Sequence, residues 1–83
     1  MSDFKNYLAQ QMEDPAFAAE YEAIRAVIAA RLACNMTQKE LAEKTGIRQS
    51  NISRIESGSA SPTIDTLARI AAGLGKQLKI DFV

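Results

Sequence analysis

In residues 37–58, TQKELAEKTGIRQSNISRIESG, apolar residues fall at Leu41, Ala42, Ile47, Ile52 and Ile55, with short polar runs between them. This spacing predicts two short helices joined by a tight turn. Thr37 can cap the first, and Glu40 three residues later completes a T-x-x-E capping box. Leu41 and Ala42 give that helix a buried face, and Ala42 is small enough for another helix to come close. Gly46 stands where a helix ends with positive φ, a conformation that costs glycine little. Ile47 plugs the corner, and the second helix is expected from about Gln49 to Ser57. Ile52 and Ile55 turn inward from it, while Gln49, Ser50, Ser53, Arg54 and Ser57 share the other face. Only Arg54 among those five is charged. A merely solvated helix more usually shows Glu, Lys and Arg there.

The remaining pattern is also mainly helical. Phe4, Tyr7, Leu8 and Met12 recur at helical spacing and predict an N-terminal helix over residues 1–13. Asp14 and Pro15 punctuate it, as cap and first turn of a long helix spanning 14–35. Phe17, Tyr21, Ile24, Ile28 and Leu32 mark its expected inward stripe, and Asn35 suits its end. Residues 57–62, SGSASP, read as a loop. Thr63 then caps a closing helix over 63–74, with Asp65 complementing the dipole and Gly73 and Gly75 closing it. Ile64, Leu67, Ile70, Ala71 and Leu74 form its expected core face. In the last stretch, residues 77–82, polar residues alternate with Leu78, Ile80 and Phe82, a strand signature. A lone strand cannot satisfy its own backbone groups, so its expected partner is the same strand of a second copy. A homodimer is therefore the expected assembly.

Composition changes this picture in few places. A chain of 83 residues allows one domain with a modest core, and such chains are often helped by oligomerisation. Ten basic residues balance ten acidic ones. Residues 1–36 nevertheless carry five acids against three bases, and residues 37–83 seven bases against five acids. The half with the two short helices is slightly cationic, and the half before it slightly anionic. No apolar run is long enough to span a membrane and no signal peptide is evident, so a reducing cytoplasm is the expected compartment. The single Cys34 excludes an internal disulfide and is read as a small hydrophobe near a helix end. With no His and one Cys, no zinc site, His-based triad, metal or cofactor is expected. No nucleophile–base pair or phosphate loop appears, so enzyme function is not expected.

The pattern T-Q-x-E-L-A-x-x-x-G-I-x-Q-S-x-I-S-R-I-E-x-G resembles the helix-turn-helix of the lambda-repressor/Cro-like (XRE) family, and the likeness continues through Pro62 to Leu74. It implies a mostly α, five-helix repressor-like domain, here with an extra N-terminal helix and a short C-terminal β-strand that pairs across a dimer. It also implies binding to double-stranded operator DNA. Gln49 can read an adenine bidentately, and Arg54 can read a guanine or grip the backbone. Ser50, Asn51 and Ser53 accompany them. Lys39 and Arg48 suit phosphates, and Gln38 opens a helix whose amides suit another. By resemblance Gln38 also buttresses Gln49. Arg48 departs from the family, which often has a Ser cap there. In similar proteins a basic residue at position 31 pairs with the acid after the last Ile of the reading helix, so an Arg31–Glu56 pair with a structural role is expected.

The whole arrangement also resembles the HigA-type antitoxins: F-x-x-Y-L, then D-P-x-F-x-x-E-Y-E, a long helix, the repressor-like motif and a closing L-x-I-x-F. That resemblance implies a small basic RelE/HigB-like ribonuclease toxin as partner, neutralised in the complex, and repression of the shared operon. Phe4, Tyr7, Leu8, Met12, Phe17 and Tyr21 then either meet the toxin or pack on the domain's own core. The alternative function is a stand-alone or phage-derived repressor of the same family.

Overall fold

The computed structural model describes residues 2–83. It contains five helices: α1 (Ser2–Gln11), α2 (Pro15–Ala33), α3 (Gln38–Thr45), α4 (Gln49–Ser57) and α5 (Ile64–Gly73). The boundaries lie where the local chemistry puts them. The Asp14 carboxylate accepts from the Ala16 amide at 2.9 Å, with Pro15 opening α2. Asn35 follows α2 at φ +53°. Thr37 and Glu40 form the reciprocal capping box, at 3.0 Å from the Glu40 amide and 2.9 Å from the Thr37 amide. Gly46 ends α3 at φ +73°, and the Thr63 hydroxyl accepts from the Thr66 amide at 3.1 Å to start α5.

The core is built from α2–α5. Val27, Leu41, Ile52, Ile55, Ile70 and Leu74 are buried, with Ile24, Ala30, Met36, Ala42, Ile47 and Leu67 packed around them. Leu41, Ile52 and Ile70 are wholly enclosed. Burying such a side chain contributes about 1.5–3 kcal/mol. α3 packs on α4 and α5, and α2 lies across both α4 and α5. Gly73 permits the α3–α5 approach, because a Cβ there would stand 2.5 Å from Thr45 Cγ2.

Four expectations are corrected. In α2 the stripe Phe17–Tyr21–Ile24–Ile28–Leu32 is not the buried line, since Val27 is buried and Leu32 is 58% exposed. From Ile24 the inward face continues through Val27 and Ala30 beside the enclosed Arg31. Apolar residues on every side of this Ala-rich helix had left its rotation undetermined. Ile64 is 64% exposed rather than part of the core, because it occupies the first turn of α5, which no described element covers. Residues 76–83 hold no strand and no regular structure, as one copy offers them no second strand to pair with. Leu78 is half-buried there, while Ile80 and Phe82 are exposed. Cys34 caps the end of α2 as placed by the sequence, but it is exposed. No described helix is long and apolar enough to cross a membrane.

Candidate nucleic-acid interface

α4 is anchored through one face and free on the other. Ile52 and Ile55 are buried, whereas Gln49, Ser50, Asn51, Ser53, Arg54 and Ser57 are all exposed. Arg48 precedes the helix in extended conformation and makes no side-chain cap, so the first amides of α4 remain open to an outside acceptor. Gly58 closes it at φ +81°. Lys39 is exposed on the first turn of α3.

Arg48, Asn51 and Arg54 share a polar groove of about 400 Å³ with the loop at Ala60–Thr63 and with Arg69. The loop residue Ser61 donates to Glu20 of α2 at 2.7 Å. Neither the groove nor the Ser61–Glu20 bond was apparent in the sequence, where the loop carried only a compositional signal. Arg69 also forms an exposed pair with Asp65 at 3.0 Å.

Beneath α4 lies the predicted ion pair. Arg31 Nε and Nη2 donate to the two Glu56 oxygens at 2.7 and 2.8 Å, a bidentate pair, with Arg31 Nη1 on the Met36 carbonyl at 2.9 Å. The side chains are only 12% and 6% exposed. Gln38 Nε2 completes the site by donating to Glu56 Oε1 at 3.0 Å. One N–H of the Gln38 amide thus goes to Glu56, and no hydrogen bond joins Gln38 to Gln49. Burial pushes the Glu56 carboxyl up, but hydrogen bonds from Arg31 and Gln38, aided by the Arg31 charge, outweigh this and hold it below its ordinary range. The hydrogen bond to Glu56 raises Arg31 in turn. The network fastens α2, α3 and the C-terminal end of α4 together.

The second candidate surface is separate. Phe4 and Tyr7 are 62% and 56% exposed, and α1 makes at most marginal contact with the other helices. Leu8 and Met12 are half-buried. Phe17 and Tyr21 on α2 stack with ring centroids 6.2 Å apart, and the Arg25 guanidinium lies 5.8 Å over the Tyr21 ring. No described residue of α1 belongs to the buried core. Among the described residues no cluster of His, Cys, Asp and Glu could hold a metal ion.

A family model described as Helix-turn-helix matches residues 27–80, from the first buried residue of α2 to the C-terminal segment. An uncharacterized HTH-type transcriptional regulator of Haemophilus influenzae is 39% identical over 57 residues, which are 69% of this chain and 58% of that protein. Antitoxin HigA1 of Mycobacterium tuberculosis is 31% identical over 86 residues, covering 94% of this chain and 58% of HigA1. That second match must include most of α1 and the first half of α2, which lie outside the family model. The chain thus spans less than two thirds of the length of these curated relatives. No solved structure gives a significant match. With its buried isoleucines, its capping box and its matched span in one register, the chain belongs to the XRE-type helix-turn-helix family.

Proposed function

We propose that this protein binds operator DNA in a sequence-specific manner, and that it is the antitoxin of a bacterial toxin–antitoxin pair. It neutralises a small basic ribonuclease of RelE/HigB type and represses the operon that encodes both. The observation that carries the DNA reading is the division of α4, with enclosed isoleucines on one side and exposed amide, hydroxyl and guanidinium groups on the other. Gln49 and Arg54 read base edges; Ser50, Asn51 and Ser53 let the helix approach closely and add hydrogen bonds. Lys39, Arg48 and the amides at the start of α3, opened by Gln38, hold phosphates. A two-fold dimer joined through Leu78, Ile80 and Phe82 presents two such helices to one operator.

Titration of duplexes from the protein's own promoter at several salt concentrations tests this. Arg54→Ala should cost about 1–3 kcal/mol at the preferred site and little elsewhere, relaxing specificity. Lys39→Ala should weaken all duplexes alike and lower the salt slope by about one. Equal affinity of the wild type for promoter and unrelated duplexes would sink the reading.

The toxin reading rests on α1, whose aromatic side chains stand uncovered on an anionic half of the chain, and on the span of the HigA1 match. Opposite charge on a basic partner would speed association. Co-expression with the small basic protein encoded next door should yield a complex through Phe4, Tyr7, Leu8, Met12, Phe17 and Tyr21. Tyr7→Glu should abolish co-purification while leaving promoter binding intact. A neighbour that never co-purifies would favour a stand-alone repressor.

A further inference from the structure

Away from α4, an apolar groove of about 180 Å³ runs between α2, α5 and the start of the C-terminal segment. Ala23, Ala26, Val27, Leu67, Ala71 and Leu78 line it. Four of its twelve lining residues are alanines, whose small side chains help leave the space. An apolar cavity on the order of 150 Å³ accepts a benzene ring, so the groove has room for one phenyl side chain. Phe82, four residues beyond Leu78, is fully exposed, and Ile80 between them is 57% exposed. Phe82 cannot reach back into a groove whose rim is its own Leu78 without reversing the segment.

We propose that the groove is filled by Phe82 of a second copy, through antiparallel pairing of residues 78–82 about a two-fold axis at Ile80. This rests on the two-fold dimer proposed above and adds its register and the occupant of the groove. Directly opposed residues of an antiparallel pair point to the same side, so the apolar set must face the apolar set. That leaves registers centred on single residues. Centring on Lys79 opposes two lysines, and centring on Asp81 opposes two aspartates, both unfavourable. Centring on Leu78 or Phe82 leaves Lys79 and Asp81 without each other. Centring on Ile80 sets Lys79 against the other copy's Asp81 twice and Ile80 against its own image. It also places the second copy's Phe82 opposite Leu78, at the rim of the groove. Within one chain Lys79 Nζ already lies 3.4 Å from Asp81 Oδ2, with both side chains exposed. The charges therefore sit together on one side of the segment.

Light scattering on purified protein, without DNA, tests the register. The wild type should be a dimer. Lys79→Glu should raise the dimer dissociation constant by about tenfold or more. The charge swap K79E/D81K should restore it to within about threefold. Phe82→Ser should give a folded monomer, since Phe82 is fully exposed in one chain, with a melting temperature below that of the dimer because association no longer stabilises it. A monomeric wild type, a dimeric Phe82→Ser protein, or a swap that fails to restore pairing would overturn the proposal. Half-site DNA titrations separate this from the DNA reading. Monomeric variants that still bind a half-site leave that reading standing, and an intact dimer that ignores its promoter sinks that reading alone.

Discussion

Replacing Arg31 by Met should destabilise the fold by about 3–5 kcal/mol, a large share of what a domain of this size commands. The substitution removes both donors to Glu56 and the donor to the Met36 carbonyl in one step. Glu56, whose side chain is only 6% exposed in the wild type, would keep Gln38 as its one neutral partner. The double variant R31M/E56M should recover most of the loss, because two apolar side chains there leave no buried charge. Recovery should stop short of complete, since the Gln38 amide and the Met36 carbonyl lose their partners.

The pH dependence separates this account from simple loss of packing. In the wild type the folded-state Glu56 carboxyl lies below its unfolded value of about 4.3. Its contribution is therefore fully present above that value and disappears as pH falls through the lower, folded one. Arg31 stays charged throughout this window. In the Arg31→Met protein the raising effect of burial is no longer outweighed by the guanidinium, so protonation relieves the site. The gap between wild type and variant should narrow steadily as urea melts are moved from about pH 7 to about pH 4. A gap that stays constant over that range would show that Glu56 is not the cause.

Much of this arrangement was legible in the chain because its signals are local or rest on a fixed period. The caps at Asp14, Thr37 and Thr63 each need only residues two or three positions away. Asn35 and Gly46 announce positive φ by their type. The Arg31–Glu56 pair could be placed because the resemblance fixed the register of both helices. What was hidden depended on other elements. The rotation of α2 follows from where α4 and α5 lie, and alanines around the helix carry no preference for one face. Ile64 has the right period for the core, but period says nothing about whether a neighbour covers the first turn. The bond from Gln38 to Glu56 was hidden because it joins α3 to the end of α4, where a buried carboxylate is a stronger acceptor than a neutral amide. The C-terminal segment is the same case at larger scale: its alternation fits a strand, but the described residues offer no strand for it to pair with.

The two faces of α4 should respond to truncation in opposite ways. Ile52 is wholly enclosed, so Ile52→Ala removes buried methylene groups and leaves a cavity at the junction of the helices, a change worth about 2–5 kcal/mol. For a domain this small that is a fall in melting temperature of at least about 10 °C. Ile52→Val should cost only about 0.5–1.5 kcal/mol, giving a graded series at one site. Gln49, three residues earlier on the exposed side, should behave inversely. Gln49→Ala should leave stability within about 0.5 kcal/mol of the wild type, since it touches neither core nor cap. Its promoter affinity should nevertheless drop by about 1–3 kcal/mol, with adenine no longer preferred at the contacted position. Thermal melts and promoter titrations on the same three variants are sufficient. An Ile52→Ala protein that melts like the wild type would mean α4 is not held down as described. A Gln49→Ala protein that unfolds early would mean its outward face is a packing surface, leaving no free side for DNA.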